Sequence, residues 1–390
     1  MLWFLVRVLV PDLRPPRSRV PCLPWVPVLG SLPWLGGLGG AALPPHLLFS
    51  RLALRYGRLF ALYVGPHYTL VVNDHQHARE VLLQRGRDFA GRPRMVTTDL
   101  LTRGGKDIAF ADYSPLWKLH RRLVHNSFAL FGEGSSRLQD IVLSAVDSLV
   151  LELLSNRTGD LDQDRDLDQD PGPAVTRAVT NVVCRLVFRG SYRHGDTELQ
   201  EVMDYNEGIV ETIARGGLVD VFPWIQVFPN PSLRRLKSCI AVRDRLLTQK
   251  LQEHKAALED GDPTDLLDAL LKGQTGGDGG RGQQTDDGRG QQEGAGLTDD
   301  HVLMTAAEAF GAGVETTSTT LLWILAYLLH HPEVQERVQK ELDEQVGSDR
   351  AVSVADRGRL PYLDSVINEG LRIRPVSPVL IPHTALKDSR

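Results

Sequence analysis

The chain has 390 residues, 42 % hydrophobic and 24 % charged. That balance suits a large globular protein and excludes a disordered, collagen-like or coiled-coil chain. Net charge is 44 − 49 = −5 with no long basic stripe, so electrostatics make no case for nucleic acid. Cys22, Cys184 and Cys239 are odd in number and widely separated, which excludes a disulfide framework or a cysteine zinc site. The histidines form no HExxH or Cys/His cluster, so no protein-bound catalytic zinc is expected.

Residues 1–10, MLWFLVRVLV, are an apolar run broken only by Arg7, and a Pro-rich stretch with Arg14, Arg17 and Arg19 follows. A membrane-spanning helix needs roughly 20 apolar residues. Residues 1–22 therefore read as a short membrane anchor with its arginines on the cytosolic side, or else as a terminus docked on the protein. The remainder, 23–390, reads as one domain carrying two low-complexity inserts. One is 160–170, DLDQDRDLDQD; the other is the Gly- and Gln-rich 273–296, with no aromatic residue. Neither can bury enough apolar area to offset the cost of ordering the chain, so both are expected as solvated loops.

Between these segments the pattern is mainly helical. Leu59–Val64 and Tyr68–Val72 flank Gly65-Pro66 as a β-hairpin, and 75–85 is expected as a short helix. Apolar residues at three- and four-residue spacing predict helices over 117–128, 138–154, 175–188, 199–213, 232–258 and 266–271. The longest element starts at Thr298-Asp299, good N-cap chemistry, and runs to Pro332. At 1.5 Å per residue it is about 45 Å long, enough to cross a domain. It is apolar nearly all round, as a helix buried in a large core should be. A transmembrane reading meets Glu308, Gly311, Gly313 and Glu315 in its first half.

Three motifs carry chemistry. Within the long helix stands Phe310-Gly311-Ala312-Gly313-Val314-Glu315-Thr316-Thr317. Glycine in a helix interior costs about 1 kcal/mol relative to alanine, and threonine can bond back to the carbonyl four residues earlier. Together they make a polar notch where a flat ligand could approach the backbone and where Glu315 and Thr316 could pass protons; a packing seam is the structural alternative. The second motif is Glu369-Gly370-Leu371-Arg372, on a helix over 362–374 closed by Pro375, with carboxylate and guanidinium on one face. The third is Trp117 and Arg121 at i,i+4, a pair suited to the carboxylate of a flat aromatic ligand.

In this order and at these separations the motifs resemble the cytochrome P-450 superfamily, the haem-thiolate monooxygenases. Phe89-Ala90-Gly91-Arg92-Pro93 fits its membrane-bound eukaryotic members. Ile108–Asp112, Tyr205–Ile209, Phe310–Thr317 and Arg374–His383 resemble the vertebrate branch that oxidises steroids at carbon 17. The resemblance implies a mainly α fold with a small β lobe, C-terminally truncated. Its cofactor would be haem b (iron protoporphyrin), with Arg92, Trp117, Arg121 and His383 holding the propionates and Ala312 and Gly313 facing the ring. Glu315 and Thr316 would be catalytic, as proton donors. Asn206 would hydrogen-bond the oxygen at carbon 3 of a steroid, Ala109, Val376 and Ile381 would pack on its skeleton, and Arg243 would stand at the far rim. Glu369 and Arg372 would be structural.

The implied reaction is hydroxylation of pregnenolone or progesterone at carbon 17, followed by cleavage of the 17,20 bond, at the cytosolic face of the endoplasmic reticulum membrane. Electrons would come from an NADPH-dependent flavoprotein reductase on a basic proximal face, with cytochrome b5 as a second partner. One departure is severe. The family ligates iron through a cysteine in a C-terminal FxxGxRxCxG loop, and these 390 residues contain no such loop. The axial metal ligand is therefore missing from the chain, which leaves two rivals open. One is a non-catalytic fragment without thiolate haem; the other is a relative of steroid 21-hydroxylase.

Overall fold

A computed structural model describes residues 20–35, 43–128, 136–155, 170–193, 195–215, 217–258, 262–275 and 297–387. Residues 1–19 of the proposed anchor 1–22, most of the 160–170 insert and residues 276–296 lie outside the described residues. Near the N-terminus, helix α1 (Pro45–Tyr56) packs on an antiparallel hairpin of β1 (Leu59–Val64) and β2 (His67–Val72). Gly65 turns the hairpin at φ +60°, a conformation that glycine adopts without steric penalty. Leu23, Phe60 and Leu62 are the buried centre of this small lobe.

The larger lobe is helical: α2 (Val96–Leu101), α3 (Pro115–Phe128), α4 (Ser136–Ser155), α5 (Gly172–Phe188), α6 (Thr197–Arg215), α7 (Pro231–Ala257), α8 (Leu266–Thr275), α9 (Asp299–His330), α10 (Pro332–Gln345) and α11 (Pro361–Ile373). The expected helices form, with ends moved by a few residues. The segment 75–85 is a five-residue helix, His75–Arg79, that widens into a π turn over Glu80–Gln84. The helices α1, α2 and α10 escape a reading based on apolar spacing. α10 carries no buried residue, so its solvated sequence PEVQERVQKELDEQ has no apolar stripe to betray it.

α9 is the axis of the fold. Thr298 closes its N-terminus in a capping box with His301, and α5 lies along its middle. The first half is core: Val302, Leu303, Met304 and Ala306 pack with Leu266, Leu267, Leu270 and Leu271 of α8. Phe310 and Val314 pack with Cys184 of α5 and with Val202, Tyr205 and Ile209 of α6. The second half corrects the expectation of burial throughout. Leu321 and Trp323 are each 41 % exposed and Leu329 is 77 % exposed. Among the described residues α9 is the one helix long and apolar enough to cross a membrane, but its buried first half is that of a core helix.

The second insert begins later than composition suggests. Gly273, Gln274 and Thr275 finish α8, and Gln274 donates to the carbonyl of Leu297 at 3.0 Å. A Cβ at Gly273 would stand 3.1 Å from Leu123 of α3, so the glycine serves helix contact rather than flexibility.

Three elements meet at a charged clasp. His254 near the end of α7 donates through Nε2 to Asp265 at 2.9 Å and through Nδ1 to the carbonyl of Lys250 at 2.8 Å. Arg189, at the left-handed C-cap of α5, donates to Asp268 at 2.8 Å. Both His254 nitrogens face acceptors, which requires the imidazolium. Burial opposes that charge, but the bond to Asp265 outweighs it and holds the His254 pKa above its ordinary value. A raised histidine pKa gives stability that is fully present below pH 6.5 and is lost as pH rises through the folded value. His254→Ala is expected to cost about 1–3 kcal/mol at pH 6 and less at pH 9, read from denaturant midpoints at the two pH values.

Candidate active site

The notch at mid-α9 is helical throughout and closely approached. Thr316 donates to the carbonyl of Ala312 at 2.7 Å, and Thr320 to that of Thr316 at 2.8 Å. Ala312, Thr316 and Thr317 are exposed, so this face of the helix is open. Thr319 Oγ1 lies 3.5 Å from Glu315 Oε1, which keeps the carboxylate along the helix. Close packing is admitted on two further sides, because Gly311 and Gly313, about 200° apart around the helix, carry no side chain. A Cβ on Gly313 would stand 3.2 Å from Val183 of α5, and one on Gly311 would stand 3.4 Å from Asn206 Oδ1.

Asn206 is buried, at 8 % exposure, with its Oδ1 beside the glycine step of α9. Arg243 of α7 is also buried; it donates to Asp244 at 2.7 and 2.9 Å and reaches Met304 Sδ at 3.7 Å. Arg103 ties Asp244 to Asp300 at the start of α9. The fold thus brings Asn206, Arg243 and the first half of α9 together from three helices.

A second group surrounds the loop before α3. Ser114 caps that helix by accepting the Trp117 N–H at 3.0 Å. The Trp117 indole N–H donates to the carbonyl of Ile108 at 3.0 Å, and the Arg121 guanidinium lies 5.3 Å over the indole ring. Trp117 and Arg121 do share a face, but the indole donor is engaged by the loop. Ala109, next in that loop, donates its N–H to Glu308 of α9 at 2.9 Å.

The extended C-terminal run closes on the same region. Gly91 and Thr384 exchange backbone bonds at 3.1 and 2.7 Å, and a Cβ at Gly91 would lie 2.9 Å from the Thr384 carbonyl oxygen. His383 bonds the carbonyl of Phe89 at 2.8 Å. Arg92 donates to the carbonyls of Ile381 and Pro382 at 3.3 and 3.0 Å, and its own N–H bonds Asp112 at 2.8 Å. Val376 is half-buried and Ile381 is exposed at the edge of this run.

Glu369 and Arg372 pair at 2.6 and 2.7 Å on the exposed face of α11. The fold contact of that motif comes from the residue between them. A Cβ on Gly370 would stand 2.6 Å from Ile324 of α9, so α11 and α9 touch through the missing side chain. Arg374 fastens the same junction, donating to the Tyr327 hydroxyl at 3.1 Å and lying 4.6 Å from the Trp323 ring centroid. A charged-pair reading of ExxR passes over Gly370, because its signal is steric rather than chemical.

A comparison with protein families matches residues 20–390 to Cytochrome P450. The chain belongs to that family. The cytochrome P450 chain is 50 % identical over 375 residues to the steroid 17-alpha-hydroxylase/17,20 lyase of Oryzias latipes, covering 95 % of this chain and 69 % of the relative. It is also 50 % identical over 374 residues to the protein of the same name from Gallus gallus, covering 96 % and 69 %. A solved zebra fish cytochrome P450 with progesterone aligns at TM-score 0.76 and 60 % identity, over 89 % of this chain and 75 % of that one.

The cofactor of the family is haem, and the chain fits it on one side only. On one side the exposed Ala312, Thr316 and Thr317 leave the notch open. Among the described residues, none of the three cysteines lies on that open side. Cys184 is buried in the α5–α6 core, where desolvation pushes its thiol far up and disfavours a thiolate. Cys239 faces Gly208 on α6, and Cys22 pairs with Ala61 of the small lobe. The axial side of the fit is not supplied by these residues.

Gly370→Ala tests the α9–α11 contact. Helix propensity alone would stabilise the variant by about 1 kcal/mol. The steric reading expects the reverse, a loss of about 1–3 kcal/mol in chemical denaturation.

Proposed function

We propose that this chain represents a steroid 17α-monooxygenase, acting on progesterone or pregnenolone with 17,20-bond cleavage as a second step. The observation that carries this reading is the burial of Asn206 against Gly311, in a family member half-identical to several steroid 17-alpha-hydroxylase/17,20 lyases. In an apolar enclosure one amide can direct a mostly hydrocarbon ligand, because a buried polar group without a partner costs more than a formed bond gains.

The chain's own residues divide the work. Asn206 would bind the carbon 3 oxygen at one end of the steroid, with Arg243 beyond it. Ala109, Val376 and Ile381 would exclude water from the skeleton. At the other end Thr316 holds its hydroxyl proton on the Ala312 carbonyl, and Glu315 stands one residue away as the acid that could replace it. Haem b, when bound, supplies the oxidising chemistry, and the protein contributes position and protons. Arg92, Trp117, Arg121 and His383 would hold its propionates, with Ala312 and Gly313 against the ring; Trp117 would have to give up its bond to Ile108 to donate.

An NADPH-dependent flavoprotein reductase and cytochrome b5 are the electron partners this reading requires. The endoplasmic reticulum membrane is its location, with residues 1–22 as anchor and 23–390 as the catalytic domain.

A second reading is favoured by one observation: the buried cysteine packed with the α9 notch, Cys184, lies in the core with Phe310 and Val314 and not on the open side of Ala312 and Thr316. On that reading the polypeptide binds steroid without thiolate haem. Incubation with haem, reductase, NADPH and progesterone separates the readings. A 17-hydroxylated product supports the first, and a 21-hydroxylated product overturns it. Progesterone retained in equilibrium dialysis, without the reduced carbon monoxide band of a thiolate haem, supports the second. Asn206→Ala should then weaken progesterone binding by up to roughly tenfold, equivalent to about 0.5–1.5 kcal/mol, and unchanged affinity would remove Asn206 from the site.

A further inference from the structure

Glu308 lies one turn before Ala312 on α9 and faces the loop that precedes α3. Its two carboxylate oxygens accept the consecutive amides of Ile108 and Ala109, each at 2.9 Å. Its neighbour in that loop is Asp107, which is 3 % exposed. Asp107 Oδ2 accepts the Phe110 N–H at 3.0 Å, whereas its buried Oδ1 has no hydrogen-bond partner among the described residues. A carboxylate oxygen left bare in the interior is costly, and it needs a donor. Asp107 also lines a cavity of about 230 Å³ together with Arg94, Asp112, Trp117, His120 and His301.

We infer that Asp107 and Glu308 hold one proton between them, and that this shared proton closes the Ile108–Ala109 loop onto α9. Glu308 is then a positioning residue: it acts through Ala109, whose place on the steroid rests on the proposed function. Two adjacent acids in a poorly hydrated site cannot both ionise cheaply, so one keeps its proton and donates it to the other. That donation satisfies Asp107 Oδ1 while Glu308 still accepts from the loop amides.

Electrostatics agree in direction. Burial first, and then the charge of Asp107, push the Glu308 carboxyl up to about 7, against the pull of the two amides and of Arg92. Burial likewise raises Asp107, with Arg92 opposing. The histidines of the cavity are pushed the other way, towards their neutral forms. Burial takes His120 down to about 4, and it lowers His301, aided by Lys106 and opposed by Asp300. Arg94 and Asp112 also stand on the cavity wall.

The sign follows from linkage. With the loop closed, Glu308 titrates near 7; with it open and hydrated, Glu308 returns towards its ordinary 4.5. Closing therefore takes up a proton between those values, and raising pH through 7 favours opening. Those two values correspond to about a tenfold fall in loop protection between pH 6 and pH 8.

Amide exchange of the 390-residue chain, read as protection factors at Ile108 and Ala109 from pH 6 to pH 8, tests this. Wild type should lose about tenfold over that range. Glu308→Gln is a permanently neutral isostere that can donate to Asp107 and accept from one amide. Its protection should be flat with pH and, at pH 8, higher than that of wild type. Asp107→Asn removes the like charge, so the midpoint should move to lower pH. A purely structural role for Glu308 predicts instead that Glu308→Gln lowers protection at every pH. That result, or a flat wild-type profile, overturns the shared proton. Progesterone affinity measured by dialysis over the same range forms a separate arm. No steroid binding at any pH would count against the steroid reading alone, since the exchange profile still decides the proton.

Discussion

The close approach of α5 and α6 to the glycines of α9 is the contact on which the rest depends. Val183 stands 3.2 Å from where a side chain at Gly313 would begin, and Asn206 stands 3.4 Å from the same point on Gly311. Interiors pack at crystal-like density, so added methyl groups here would push two helices off the axis of the fold. The helical cost of two glycines is offset by that packing. The open side of the same turn carries Ala312, Thr316 and Thr317. One short run therefore packs its glycines against α5 and α6 and leaves Ala312, Thr316 and Thr317 open.

Around this axis the chain closes by polar bonds of long sequence separation rather than by a single apolar layer. Glu308 holds the loop before α3, Arg92 holds the run at Ile381 and Pro382, and Gly91 pairs with Thr384. Each joins segments roughly 200 to 290 residues apart. The candidate steroid contacts Ala109 and Ile381 sit on these tethers, so their positions depend on charged groups that touch no steroid. The second half of α9 and α11 instead meet through Gly370 and Arg374, leaving an apolar surface at Leu321, Trp323 and Leu371.

Much was legible because the chain declares it locally. The hairpin around Gly65, the capped start of α9 at Thr298 and the helices with apolar stripes follow from spacing and end chemistry. The motifs at Trp117, Gly311–Thr317 and Glu369–Arg372 led to the correct family through their order and separation. The solvated α10 was hidden because it has no buried face, and the end of α8 was hidden because Gly273 and Gln274 share their composition with a linker.

By itself the sequence determined the helical character, the small β lobe, the family and the identity of the polar residues within apolar helices. Those properties are set by neighbours within about two turns, where periodicity and capping act. Only the tertiary structure decided what those residues meet. Glu308 read as an interruption in an apolar helix until the loop amides were found on it, and Asp107 was unremarked until one oxygen proved bare. Asn206 lies beside Gly311 of α9, about a hundred residues away. Partners so distant in the chain leave no periodic trace, because their meeting is fixed by how whole helices pack and not by any local preference of the backbone.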